Sequence, residues 1–174
     1  MKRLNKMIFL SILVSIGLAL SVLESAIPLP IAVPGARLGL SNMVVLVTII
    51  IFGFKEGIIV SMLKSMVLVL VTGSISSFIY SFSGAILSCF VMYIAYKLFS
   101  SVFSLMGVSI LGALAHVTAQ ITVASLMMNN LRIYSYLPFL MLTSIFTGYF
   151  VGLSSTYIVK NLRVNFKVFF VDKG

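Results

Sequence analysis

"PGARLGLSNMVVLVTIIIFGFKEGIIVSMLKSMVLVLVTGS", residues 34–74, holds two apolar runs joined by the short turn "GFKEG" at 53–57. Both runs sit near the lower limit of the roughly 17 to 25 apolar residues that cross a hydrocarbon core as a helix. Val and Ile are frequent, which raises the question of strands. A strand of a membrane barrel alternates apolar with polar residues over about ten positions, and these runs are apolar on every side. The stretch therefore reads as two successive helices, 38–54 and 57–73, whose solvent is lipid.

Four more runs of the same kind flank it, at about 7–27, 78–98, 105–128 and 137–159. The expectation is an all-α integral membrane protein, a bundle of six transmembrane helices occupying residues 1–174 as one domain, with no internal repeat and no long linker. Composition agrees. The chain is 61% hydrophobic and 9% charged, and three acidic residues with twelve basic ones cannot cover a water-exposed surface. A net charge of +9 suits anionic headgroups better than nucleic acid, because the basic residues fall in short clusters between apolar stretches and not along a groove-like run.

The placement of Lys and Arg sets the orientation. With a cytoplasmic N-terminus, the inner segments hold Lys2, Arg3, Lys6, Lys55, Lys97, Lys160, Arg163, Lys167 and Lys173, and the outer loops hold Arg37 and Arg132. Both termini are therefore expected on the cytoplasmic side of a bacterial membrane. The start "MKRLNKMIFLSILVSIGLALSVLESA" has the basic-then-apolar order of a signal peptide. Its apolar run is longer than a signal core and continues past Glu24 into "IPLP", so it reads as an uncleaved first span.

Small residues four apart let helix backbones approach in lipid. Such stripes occur at Ser144, Gly148 and Gly152, at Ser77, Ser81 and Ala85 with Gly84 and Ser88 beside them, and at Ser11, Ser15 and Ala19. The first two read as packing inside the bundle. The third, on the N-terminal helix, reads either as packing or as a seat for a helix of another protein.

A charged residue at the bilayer centre costs at least about 2.5 to 3.5 kcal/mol, so every intramembrane polar group needs a reason. Lys64 either snorkels to the cytoplasmic headgroups, forms an ion pair, or faces an anionic ligand. Glu24 is a structural partner for Arg37 or Lys64, or part of a binding site. His116 and Gln120 are four apart and share a helix face with Ser109, Gly112, Ala113 and Ala124. Asn42 opens the second run, and Asn129, Asn130, Arg132, Tyr134 and Tyr136 cluster in the last outer loop. Together Glu24, Arg37, Asn42, Asn130 and Arg132 suggest a polar pocket at the outer end. Pro28, Pro30, Pro34 and Gly35 make the first loop stiff enough to act as its lid. One histidine and the lone Cys89 give no metal site.

The run 34–74 with its "GARLGLSN", followed by "LMGVSILGALAHVTAQITVA" at 105–124 with its "HVTAQ", resembles the heptaprenyl diphosphate synthase component I family, also called the Gx transporter family. That family is similar in layout to the substrate-binding S components of energy-coupling factor importers. The resemblance implies a pocket near the outside, closed by the loop between the first two spans, and a small-residue stripe on the first helix that contacts a coupling subunit, here Ser11, Ser15 and Ala19.

Two functions follow as expectations. One is an S-component-type subunit that binds a vitamin-like, flavin or prenyl/quinone-related compound through Glu24, Arg37, Asn42, Lys64, His116, Gln120 and Asn130, energised by separate ATPase and transmembrane coupling subunits. The other is a non-catalytic accessory subunit in isoprenoid or menaquinone synthesis. A catalytic prenyltransferase needs an acid-rich magnesium site, and Glu24, Glu56 and Asp172 are too few and too far apart in sequence. The chain has neither a phosphate loop with its lysine nor a Ser/His/acid spacing, so no enzyme activity and no cofactor is expected. A purely structural membrane protein, whose charges satisfy one another, is the third reading.

Overall fold

A computed structural model describes residues 3–26 and 37–170, without the side chains of Arg3, Ser77 and residues 165–170. The proposed lid residues Pro28, Pro30, Pro34 and Gly35 lie outside the described residues, as do Lys2, Asp172, Lys173 and the side chain of Lys167.

The fold is all-helical: α1 (Arg3–Ser25), α2 (Asn42–Phe52), α3 (Phe54–Thr72), α4 (Ile75–Leu98), α5 (Leu105–Met127) and α6 (Leu137–Phe170), with a 3-10 turn at Leu131–Tyr136 leading into α6. Four helical stretches are long and apolar enough to cross a membrane: Leu4–Ser25, Phe78–Leu98, Leu105–Met127 and Leu131–Val164. This is a multi-pass membrane protein.

The two helices of the opening stretch differ from the other four. α3 carries Lys55, Glu56 and Lys64 within its 19 residues. α2 has 11 residues, so it is about 16 Å long at 1.5 Å per residue. The expected second span, 38–54, is thus shorter at its start, because residues 37–41 are not helical. At the other end α6 passes beyond the expected residue 159 to Phe170. Lys160, Asn161 and Arg163 mark where the helix leaves the apolar region, and none of them is a helix breaker.

α2 packs against all five other α-helices, while α5 lies between α4 and α6 and α1 leans on α2 and α3. Its burial explains its composition. Val44, Val45, Leu46, Val47, Thr48 and Ile49 are all buried, and a helix that is apolar all round belongs at the centre of a bundle. Gly53 turns the chain from α2 into α3 in one residue, at φ 101°, a conformation reserved for glycine.

The small-residue stripes have two fates. A Cβ on Gly148 would stand 2.8 Å from the Ile110 Cα, and one on Gly152 would stand 2.5 Å from the Met106 Cα, so α5 and α6 meet backbone to backbone. Ser144, Ser81, Ala85 and Ser88 are buried in the same interior. On α1 the buried face is instead Leu13, Gly17, Ser21 and Glu24, and Ser11, Ser15 and Ala19 face outward. The two hydroxyls donate to the carbonyls of Met7 and Ser11 at 3.0 Å.

Basic residues mark one end of the bundle. There Lys6 pairs with Glu56, the Phe9 and Phe52 rings lie 5.6 Å apart, and Arg163 Nη2 donates to Tyr96 Oη at 3.3 Å. The hydrogen bond from Lys6 holds the Glu56 carboxyl below its ordinary value of 4.5. That contribution to stability is complete above the ordinary value and fades as pH falls through the lowered one. Glu56→Gln should therefore lower the thermal midpoint at pH 7, by the equivalent of less than about 1 kcal/mol for so accessible a pair, and the difference from the parent should shrink as the pH is taken below the ordinary carboxyl value. Gly152→Val should be far worse, costing about 1 to 3 kcal/mol or abolishing the folded state by forcing α5 and α6 apart; thermal unfolding in detergent, read by far-ultraviolet circular dichroism, measures both.

Candidate functional site

α2 is about half as long as a roughly 30 Å hydrocarbon core is thick, and Ser41 and Asn42 at its head are buried inside the bundle. The chain reaches that point through residues 37–41, a non-helical segment buried among the helices. Such backbone is tolerated only where protein or a polar cavity surrounds it, since lipid offers no hydrogen bonds.

Side chains from three helices supply what the segment lacks. The Arg37 N–H donates to Gln120 Oε1 of α5 at 3.2 Å. The N–H groups of Gly39 and Leu40 both donate to Glu24 Oε1 of α1, the latter at 3.3 Å. Thr147 Oγ1 of α6 shares its one proton between the Leu38 carbonyl at 3.4 Å and the Ser144 carbonyl of its own helix at 3.2 Å. The Asn42 N–H turns back to the Gly39 carbonyl at 2.9 Å and starts α2. Gly39 is at φ +89°, and a Cβ there would fall 2.8 Å from Asn42 Nδ2, so the turn admits glycine alone.

Lys64 enters the same place from α3. Its stem lies across Gly17, where an added Cβ would stand 3.2 Å from Lys64 Cδ, and its Nζ donates to Ser41 Oγ at 2.7 Å. Ser41 is the N-cap of α2, so the ammonium sits at the head of the central helix and does not snorkel to the headgroups. Glu24 forms no ion pair with either expected cation; among the described residues the salt bridge is Lys6–Glu56. Its carboxylate is already committed to backbone N–H groups, although Glu24, Arg37 and Lys64 lie within electrostatic reach of one another and His116 within reach of both cations.

His116, on the buried face of α5 that includes Ser109, Gly112, Ala113, Gln120 and Ala124, places its ring against Gly84 of α4. A Cβ on Gly84 would come within 2.8 Å of His116 Cε1 and Nδ1. The ring nitrogens run beside the Gly84 backbone without an aligned hydrogen bond to it.

Glu24, Arg37, Asn42, Lys64, His116 and Gln120, six of the seven expected binding residues, thus converge on the head of α2, each at most 3% exposed. Many of their polar atoms have no partner among the described residues: Glu24 Oε2, Arg37 Nε and Nη1, both amide atoms of Asn42, both ring nitrogens of His116, and Gln120 Nε2. Protein interiors leave few such atoms open, and a concentration of them marks a place that holds water or a polar ligand. Asn130 does not join. It is exposed, and its Oδ1 caps the 3-10 turn by accepting the Arg132 N–H at 3.0 Å; Arg132 is exposed beside it.

Ser41, Thr147, Gly17, Gly39 and Gly84 complete the site and are not evident as site residues in the sequence. Ser41 has one signal, its position directly before Asn42. A separate groove of ≈ 500 Å³ opens at the basic end, where Leu105 of α5 faces Thr156, Val159, Lys160, Arg163 and Val164 of α6.

A family model described as heptaprenyl diphosphate synthase component I matches residues 13–158, which include every residue of the buried cluster. No curated protein and no solved structure matches the chain.

Glu24→Ala should strand two buried N–H groups, at about 1 to 3 kcal/mol each, whereas Glu24→Gln keeps an acceptor and should recover most of the loss. Midpoints of unfolding by added sodium dodecyl sulfate distinguish the two.

Proposed function

The chain belongs to the heptaprenyl diphosphate synthase component I family, and from that premise we propose that it is a substrate-binding membrane subunit of an importer, of S-component type, in the cytoplasmic membrane of a bacterium. In this reading α2 and α3 complete a six-span bundle with both termini inside. The substrate is a vitamin-like, flavin or prenyl/quinone-related compound, and separate ATPase and transmembrane coupling subunits supply the energy.

The observation that carries the reading is the buried cluster at the head of α2. A bundle needing only to be stable gains nothing from Arg37, Asn42, His116 and Gln120 left with open hydrogen-bonding atoms in its centre. A binding protein needs such groups, held in place by a surrounding apolar frame. Half-length helices whose N-termini face a mid-membrane site are a recurring way for transporters to hold a substrate. Arg37 and Lys64 contribute charge, and Asn42, His116 and Gln120 contribute hydrogen bonds. Asn130, at the exposed outer loop, is left as an entrance contact. The outward stripe Ser11, Ser15 and Ala19, on a helix packed against two neighbours, suits docking of a coupling subunit.

A second reading, favoured by the family description and by the groove at the basic end, is a non-catalytic accessory subunit that serves a soluble prenyltransferase. The two make opposite predictions. Affinity purification of the full chain from membranes should recover coupling and ATPase subunits, and Ser15→Phe with Ala19→Phe on the outward face of α1 should reduce that recovery while leaving the protein folded. Recovery of a soluble prenyltransferase in their place, with activity that depends on the chain, would select the accessory role.

A further inference from the structure

Resting on the substrate-binding reading, we infer that the head of α2 takes an anionic group of the ligand, a carboxylate or a phosphate, together with a neighbouring hydrogen-bond donor. Three observations lead there. The first is charge. Arg37 and Lys64 bring two cations, and α2 adds the positive end of its dipole, with the Asn42 and Met43 N–H groups already given to the Gly39 and Leu40 carbonyls. Against them stands one carboxylate, Glu24, with one oxygen given to the Gly39 and Leu40 N–H groups. Water satisfies hydrogen bonds but supplies no countercharge, and a net positive site in a bundle interior calls for one.

The second observation is the balance of open groups. Arg37 Nε and Nη1, Asn42 Nδ2, Gln120 Nε2 and one His116 nitrogen are donors without acceptors, and Lys64 has hydrogens beyond the one it gives to Ser41. Oxygens that accept several bonds at once fit this set, as carboxylate and phosphate oxygens do. The open acceptors are fewer: Glu24 Oε2, Asn42 Oδ1 and the other His116 nitrogen. They ask for at least one N–H or O–H near the anion.

The third is that the arrangement is built and not incidental. Gly17 gives the Lys64 stem its track, Gly39 makes room for the Asn42 amide, and Gly84 makes room for the His116 ring. A side chain at any of the three meets the group it serves.

The test uses the full chain in phosphatidylcholine nanodiscs, with unfolding followed by dye reaction at Cys89, its single and buried cysteine. Sodium acetate and sodium phosphate are titrated against sodium chloride at matched ionic strength. The expected result is a saturable rise in midpoint with acetate or phosphate beyond that in chloride. Asn42→Asp should weaken that response at least about ten-fold, because it sets a fixed carboxylate at the helix head, where it repels a second anion and favours the fold. Arg37→Gln should weaken it as well, and Asn42→Asp still decides the matter where Arg37→Gln does not fold. A rise that occurs on exchanging phosphatidylcholine for phosphatidylglycerol, and not with free salt, supports the anion and assigns it to a lipid headgroup. No rise over chloride in any arm, or the same rise in Asn42→Asp, overturns the inference. Native mass spectrometry separates this from the broader reading: an uncharged retained compound leaves substrate binding standing and removes the anion.

Discussion

The structure depends on keeping five residues of non-helical backbone satisfied in the middle of a membrane protein. Residues 37–41 bring the chain to the start of α2, and their peptide groups lie outside any helix ladder. Glu24 from α1, Gln120 from α5 and Thr147 from α6 each give a side chain to that backbone. Three helices are thereby tied to one short segment, which is why a helix of 11 residues can be the hub of the bundle. The glycines follow from the same constraint, since a segment threaded between helices leaves no space for added atoms at Gly17, Gly39 or Gly84.

Using a carboxylate this way changes the electrostatics around it. An ion pair between Glu24 and Lys64 would still have left the buried Arg37 without a countercharge. Engaging Glu24 with two N–H groups instead leaves Lys64 to a serine hydroxyl and Arg37 with open guanidinium nitrogens. With one carboxylate for two cations the site stays net positive, and that one carboxylate also holds the backbone in place. Stability and recognition are coupled here through one side chain.

Much of the architecture was legible in the sequence because it rests on hydropathy, which needs no tertiary information. Unbroken apolar runs gave the helices, and the turn at 53–57 separated α2 from α3. The spacing of His116 and Gln120 placed both on one buried face, and the Ser144, Gly148, Gly152 stripe marked the contact with α5. What hydropathy misread was "RLGLS" at 37–41, whose Leu residues look like the start of a span. A positive φ at Gly39 and the reach of Glu24 across from another helix decide otherwise, and neither leaves a trace in local composition. Lys64 was ambiguous for a similar reason: its spacing gives its depth in the helix, but not that Gly17 directs the stem toward Ser41. Asn130 was grouped with the outer polar residues by its position in the chain, whereas its exposed side chain gives its oxygen to the turn it caps and stands away from the buried cluster.

α6 has a mechanical property that the other helices lack. It fits against α5 without intervening side chains at Gly148 and Gly152, and it continues as one unbroken helix to Phe170. From Gly152 to that end is about 27 Å of rod at 1.5 Å per residue. The tight contact is a fulcrum and the remainder is a lever arm. A tilt of about 10° at the glycines carries the far end through roughly 5 Å, while side chains near the fulcrum hardly move. Motion applied to the projecting end is thus geared down before it reaches Thr147, one residue from Gly148, and through it the backbone leading into α2.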